Sequence, residues 1–148
     1  MNVILEYIDS LNKINNSLKV NVINNFVNGL LKIKKSKGRL FILGVGGSAG
    51  NASHAVNDFR KLCEIEAYTP VDNVSEITAR TNDEGFETIF SEYLKISNLN
   101  KNDGILIFSV GGGNIKNNVS INLINSIKYA KKKKLLILSI LGKNDGYA

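Results

Sequence analysis

Phe41-Ile42-Leu43-Gly44-Val45-Gly46-Gly47-Ser48 decides the fold: an apolar run ends abruptly in a turn of glycines and one serine, and residues 48 to about 62 then read as a helix. A buried parallel strand that stops in a turn lacking Cβ atoms exposes backbone N–H groups at the head of the next helix, a place that holds an anion, usually phosphate. Ile105-Leu106-Ile107-Phe108 into Ser109-Val110-Gly111-Gly112-Gly113 repeats the shape. Two such turns at the same end of neighbouring parallel strands can grip one phosphorylated ligand in the crevice their ends form.

Outward from these turns, strands and helices alternate. Residues 39–43, 67–71, 105–108 and 135–141 read as strands; 48–62, 73–79, 84–96 and 114–132 read as helices. This alternation predicts an α/β fold, a three-layer doubly wound parallel sheet. Ahead of it Ile4, Ile8, Leu11, Ile14, Leu18, Val22, Phe26, Leu30 and Ile33 recur at helical spacing, with Gly38 as the expected C-cap. This N-terminal helical segment, residues 1–35, either covers the sheet or packs on a partner subunit. Residues 38–148 form the parallel core of a single domain. A doubly wound sheet normally returns with a helix after a strand such as 135–141, so C-terminal elements are expected to be missing after Ala148.

Composition narrows the function classes. The chain has 148 residues, one domain's worth, and a formal charge of +6. Much of that charge sits in Lys32, Lys34, Lys35 and Lys37 and in Lys131–Lys134, where lysines ending helices complement the dipole and normally form a solvated face. These runs carry no interleaved aromatics, so no nucleic-acid partner is expected. No apolar run approaches the roughly 20 residues of a membrane span, and no basic region precedes the apolar N-terminus, so a soluble cytoplasmic protein without membrane attachment is expected. The one cysteine, Cys63, excludes an internal disulfide framework and reads as a small buried apolar residue.

Several residues carry candidate chemistry. Gly44-Val45-Gly46-Gly47-Ser48-Ala49 satisfies the dinucleotide pattern G-x-G-x-x-G/A, which also requires an acid at the end of the next strand. Glu64 and Glu66 precede that strand and Asp72 follows it at greater separation, so a dinucleotide site stands as an alternative. His54 and Asp58, four residues apart, share a helix face one turn apart, where a metal could bridge imidazole and carboxylate or the two could simply pair. Asn82 and Asp83 either cap a helix starting at Glu84 or bind sugar hydroxyls.

With these residues in hand, the chain resembles the sugar isomerase (SIS) domain family, specifically the phosphoheptose isomerases. The resemblance is carried by G-x-G-G-S-x-x-N-A-x-H at Gly44–His54, by Asn82-Asp83-x-Gly85-Phe86-x-x-x-Phe90, by Ser109-x-Gly-Gly-Gly-Asn114 and by Leu141-Gly-x-x-x-Gly146. It implies conversion of D-sedoheptulose 7-phosphate to D-glycero-D-manno-heptose 7-phosphate, through an enediolate, by a zinc-assisted homotetramer. It also implies that Gly46, Gly47 and Ser48 form the first sugar-phosphate turn and that Ser109, Gly111, Gly112, Gly113 and Asn114 form the phosphate cradle. Asn82 and Asp83 would contact sugar hydroxyls. His54 falls at a zinc ligand, and Asp58 falls where the family has a glutamate that is base and zinc ligand. The family's second catalytic histidine and a glutamine ligand have no counterpart, since His54 is the only histidine. A non-catalytic sugar-phosphate-binding module is the other reading.

Overall fold

The computed structural model describes residues 2–148. Two helices open the chain, α1 (Val3–Ser17), capped by the Asn2 carboxamide, and α2 (Val20–Lys35). There follow β1 (Leu40–Leu43), α3 (Gly47–Lys61), β2 (Ala67–Tyr68), α4 (Val74–Glu84), α5 (Ile89–Ile96), β3 (Gly104–Ser109), α6 (Ile121–Lys132) and β4 (Leu136–Leu141). All four strands are parallel, in the order β2-β1-β3-β4. The connection changes direction between β1 and β3, the switch point at which open α/β sheets bind ligands.

Strand alternation assigns the two faces. Phe41, Leu43, Ile105 and Ile107 point to one side and pack with Ile89, Phe90 and Leu94 of α5 and Leu123 and Ile127 of α6. Leu40, Ile42 and Leu106 point to the other and pack with Ile33 of α2 and Ala52 of α3. The sheet is thus covered on both faces, as its unbroken apolar strands require. At the base of the sheet Asp103 is fully buried and holds Arg39 in a two-pronged pair, Nη2 to Oδ2 at 2.7 Å and Nε to Oδ1 at 3.3 Å. Burial works against the ionised carboxylate. The Arg39 side chain and the N–H groups of Asn100 and Arg39 outweigh it and hold the Asp103 pKa below its ordinary value.

The structure corrects several local readings. The left-handed residue after α2 is Lys37, not Gly38; Gly38 is required because a Cβ there would collide with the Asn102 carbonyl. The second strand is only Ala67–Tyr68, and Pro70 opens a 3-10 turn, Pro70–Asp72, in place of ending a longer strand. α4 runs on to Glu84, because Arg80 pairs with both Glu76 and Glu84 one turn either side. Asn82 and Asp83 therefore sit in its last turn and do not cap a new helix. Residues 114–120 form a loop closed by an Asn114–Val119 bridge, so α6 starts seven residues later than expected. Cys63 is exposed rather than buried.

Candidate functional site

The C-terminal edge of the sheet carries two clefts, one between α3 and the ends of β3 and β4, the other between the β1 turn and the head of α6. Gly44 continues β1 where a Cβ would collide with the Ser48 carbonyl, so only glycine lets α3 start this close to the strand. Gly46, at φ 61°, then turns the chain, and α3 begins at Gly47 with open space around both residues. Of the first N–H groups of α3, Ser48 donates to the Val45 carbonyl at 3.2 Å, and Ala49 and Gly50 donate to the Gly46 carbonyl at 2.9 and 3.4 Å, so the turn is closed largely on its own backbone. Ser48 leads into the first cleft, which has a volume of about 500 Å³.

That cleft brings α3 against the ends of β3 and β4: Ser48, Asn51, His54 and Asp58 on one wall, Ser109 and Val110 on the other. His54 and Asp58 stand one turn apart, Nε2 to Oδ2 at 3.3 Å. Asn57 donates to the other oxygen, Oδ1, at 3.2 Å. Ser48 and Ser109, one expected phosphate residue from each turn, thus line one depression with the His54–Asp58 pair, while Gly46, Gly47 and Gly111 to Asn114 do not line it. Asn51, a member of the motif that sequence reasoning assigned no role, lines it as well.

His54 and Asp58 are donors of the type zinc takes and fit two of its positions; catalytic zinc usually has three protein ligands. Among the described residues, no group of three or more His, Cys, Asp or Glu side chains converges.

The second turn is folded more tightly than the first. Ser109 Oγ accepts the Gly112 N–H at 3.0 Å. Gly112 and Gly113 are buried, and their carbonyls accept the N–H groups of Ala148 and Tyr147. Gly111 and Asn114 are exposed. Asn114 Oδ1 accepts the Asn117 N–H at 3.0 Å, which shapes the loop ahead of α6.

A second cleft, about 520 Å³, opens on the other side of the β1 turn, lined by Val45, Phe86, Glu87, Asn118, Ser120 and Asn122 among others. Ser120 is the N-cap of α6 in a left-handed conformation, φ 51°, and its hydroxyl makes no capping bond. Asn122 is 2 % exposed, and its Oδ1 accepts the Leu123 N–H at 2.8 Å. Sequence reasoning missed these residues because it placed the helix start at Asn114. The signal available was Asn118-Val119-Ser120, a polar break just before a long apolar period. Asn82 and Asp83 are exposed on α4 and line neither cleft; Asn82 Nδ2 donates to Asp83 Oδ1 at 2.7 Å.

The three acids weighed for a ribose hydroxyl have other partners. Asp72 accepts from Ser53 at 2.6 Å, Glu66 from Tyr68 at 2.7 Å, and Glu64 pairs with Lys34 at 3.2 Å.

A parallel sheet of this order, with clefts at its C-terminal edge and glycine turns after β1 and β3, makes the fold a doubly wound α/β domain. No family model matches the chain. Over 121 residues it is 34 % identical to the phosphoheptose isomerase of Buchnera aphidicola, covering 79 % of this chain and 58 % of that one. Over 148 residues it is 27 % identical to the probable phosphoheptose isomerase of Thermoplasma volcanium, covering 95 % and 71 %. The solved phosphoheptose isomerase of Neisseria gonorrhoeae superposes with a TM-score of 0.82 at 23 % identity, over 97 % of this chain and 73 % of that one, and shares the fold. The chain is thus similar to phosphoheptose isomerases over most of its length. It spans a little under three fifths of the Buchnera relative's length.

Proposed function

We propose that the protein is a sugar-phosphate aldose–ketose isomerase that interconverts D-sedoheptulose 7-phosphate and D-glycero-D-manno-heptose 7-phosphate. The observation that carries this reading is the convergence of His54, Asp58, Ser48 and Ser109 in one cleft at the switch point of the sheet.

The chemistry assigns the roles. The ketose has its carbonyl at C2 and a hydroxymethyl carbon at C1. Asp58 removes a proton from C1, giving an enediolate; the proton returns at C2 while one proton passes from O1 to O2, so an aldose results with no atom gained or lost. A carboxylate positioned for this typically contributes about 10²–10⁴-fold. Asn57 and His54 contact its two oxygens and bias its direction. His54 and Asp58 would together hold one zinc ion per subunit, which supplies Lewis-acid stabilisation of negative charge on the sugar oxygens. The N–H groups at Gly46 and Gly47, Ser48, Ser109 and the loop from Gly111 to Asn114 hold the phosphate, assisted by the head of α6 at Ser120. Asn82 and Asp83 remain candidates for sugar hydroxyls only if α4 moves toward the clefts on binding.

A homotetramer in the cytoplasm completes the reading. α1 buries none of its residues, and Ile4, Ile8, Leu11 and Ile14 form an exposed apolar stripe along it, as expected of a helix that packs on another subunit. Among the described residues, no helix is long and apolar enough to cross a membrane. One observation favours a second reading, a sugar-phosphate-binding module without turnover: Asp58 is one methylene shorter than the family's glutamate, and His54 is the only histidine.

A thermal-shift titration with sedoheptulose 7-phosphate, inorganic phosphate, NAD and NADP, with and without zinc, tests the site. A ligand that binds the folded state raises the melting temperature by mass action. The heptose phosphate is expected to give a larger shift than phosphate; a shift with NAD or NADP alone would overturn the assignment.

A further inference from the structure

The base of the sheet, opposite the clefts, carries the chain's positive charge. β1, β3 and β4 start there in register at Leu40, Gly104 and Leu136, and α2 and α6 end there. Lys32, Lys34, Lys35, Lys37, Lys101 and Lys131–Lys134 belong to these segments, nine lysines against a formal charge of +6, so the rest of the chain is net acidic. Each helix C-terminus offsets about half a charge, which leaves most of the excess uncompensated. The carboxylates nearby offer little: Glu64 pairs with Lys34, and both oxygens of Asp103 are taken by Arg39 and the Asn100 N–H. No lysine lines the His54–Asp58 cleft. The six-residue strand β3 separates the two ends of the sheet by about 20 Å, so this charge does not act at the isomerase site.

Three of the lysines converge. Lys32 of α2, Lys101 of the turn before β3 and Lys134 after α6 line a cleft of about 270 Å³ together with Ser36, Asn102 and Asp103, whose carboxylate is already neutralised by Arg39. Lys134, at φ 56°, and Lys37, at φ 52°, hold left-handed positions where glycine is the usual residue. Lysine there carries backbone strain that glycine would relieve. Lys131 and Lys133 lie over the rings of Tyr147 and Tyr129, away from this cleft.

We propose that this cleft binds a compact multiply phosphorylated anion, two or more phosphoryl groups on a small skeleton, independently of the isomerase site. Ammonium groups on flexible stems match phosphoryl oxygens as point charges. The cleft offers no aromatic face for a base to stack on, which separates it from the surfaces that bind single-stranded nucleic acid.

The test uses pyrophosphate as probe, followed by amide chemical shifts and calorimetry in about 150 mM salt, where surface charges more than about 8 Å apart are screened. Two triple variants remove equal charge: Lys32→Gln/Lys101→Gln/Lys134→Gln in the cleft, and Lys131→Gln/Lys132→Gln/Lys133→Gln beside it. Circular dichroism confirms that both are folded. Shifts are expected at residues 32–37, 100–103 and 134–136, with about a tenfold or greater loss of affinity in the cleft variant only. Equal loss in both variants would overturn the proposal in favour of a diffuse field. Shifts confined to Gly46–Ser48 and Ser109 would overturn it in favour of the isomerase site. A duplex oligonucleotide that displaces pyrophosphate and is weakened equally by both triple variants would overturn it in favour of an extended polyanion surface.

Discussion

Asp58 is held from two sides of α3: His54 Nε2 lies 3.3 Å from Oδ2, and Asn57 donates to Oδ1 at 3.2 Å. Each contact comes from a residue on the same helix, and with the His54 and Asp58 side chains 79 % and 45 % exposed these contacts bias the carboxylate's direction without locking it. Asp58→Asn keeps the shape and removes the base. Turnover is expected to fall by about 10²-fold or more, while the melting temperature and the shift with inorganic phosphate stay near those of the parent. Parallel kinetics and thermal-shift measurements check both halves.

The head of α6 supplies a second prediction. Ser120 occupies a left-handed position that favours glycine, and its hydroxyl is free of a capping bond. Ser120→Gly is therefore expected to stabilise the fold by roughly 1 kcal/mol and to raise KM for the sugar phosphate with little change in kcat. Denaturant unfolding and steady-state kinetics on the same preparation measure the two effects.

The buried pair at the base of the sheet gives a pH dependence. The folded pKa of Asp103 lies below its unfolded value, so the folded state binds this proton less readily. Its contribution is present in full above the ordinary carboxylate pKa near 3.9. It is lost as the pH falls through the lower folded value. Asp103→Ala is expected to cost about 3 kcal/mol at neutral pH, the lower end for breaking a buried pair, because Arg39 retains some access to water. The difference from the parent should shrink below about pH 4, which urea titrations across that range will show.

The unburied helix α1 predicts assembly. Ile8, Leu11 and Ile14 are exposed at helical spacing. Leu11→Asp with Ile14→Asp is expected to leave the core intact and shift the protein to a smaller species by light scattering. An unchanged mass would remove α1 from the interface.

Most of the sheet was legible because its strands are short apolar runs ending in glycine, and Leu40–Leu43 and Gly104–Ser109 are found within a residue or two of their expected limits. The His54–Asp58 pairing was legible for the same kind of reason, since four residues on a helix are always neighbours. The misplaced elements depend on partners that periodicity does not reveal. Arg80, bonded on both sides, carries α4 past its expected end at Ala79. The Asn114–Val119 bridge displaces the start of α6, and with it Ser120 and Asn122. Their joining to the Val45 turn is a tertiary event, visible only once β1 and β3 lie side by side.

The central claim is that this chain moves a proton between C1 and C2 of a ketose phosphate with Asp58 as its base. Incubating the protein with sedoheptulose 7-phosphate and zinc in D₂O, and following the sugar by NMR, tests it most directly. Deuterium at C2 of the aldose product and at C1 of the recovered ketose, lost in Asp58→Asn, is the predicted result. Unlabelled ketose after incubation with a protein that binds it, or equal labelling with Asp58→Asn, would contradict the claim.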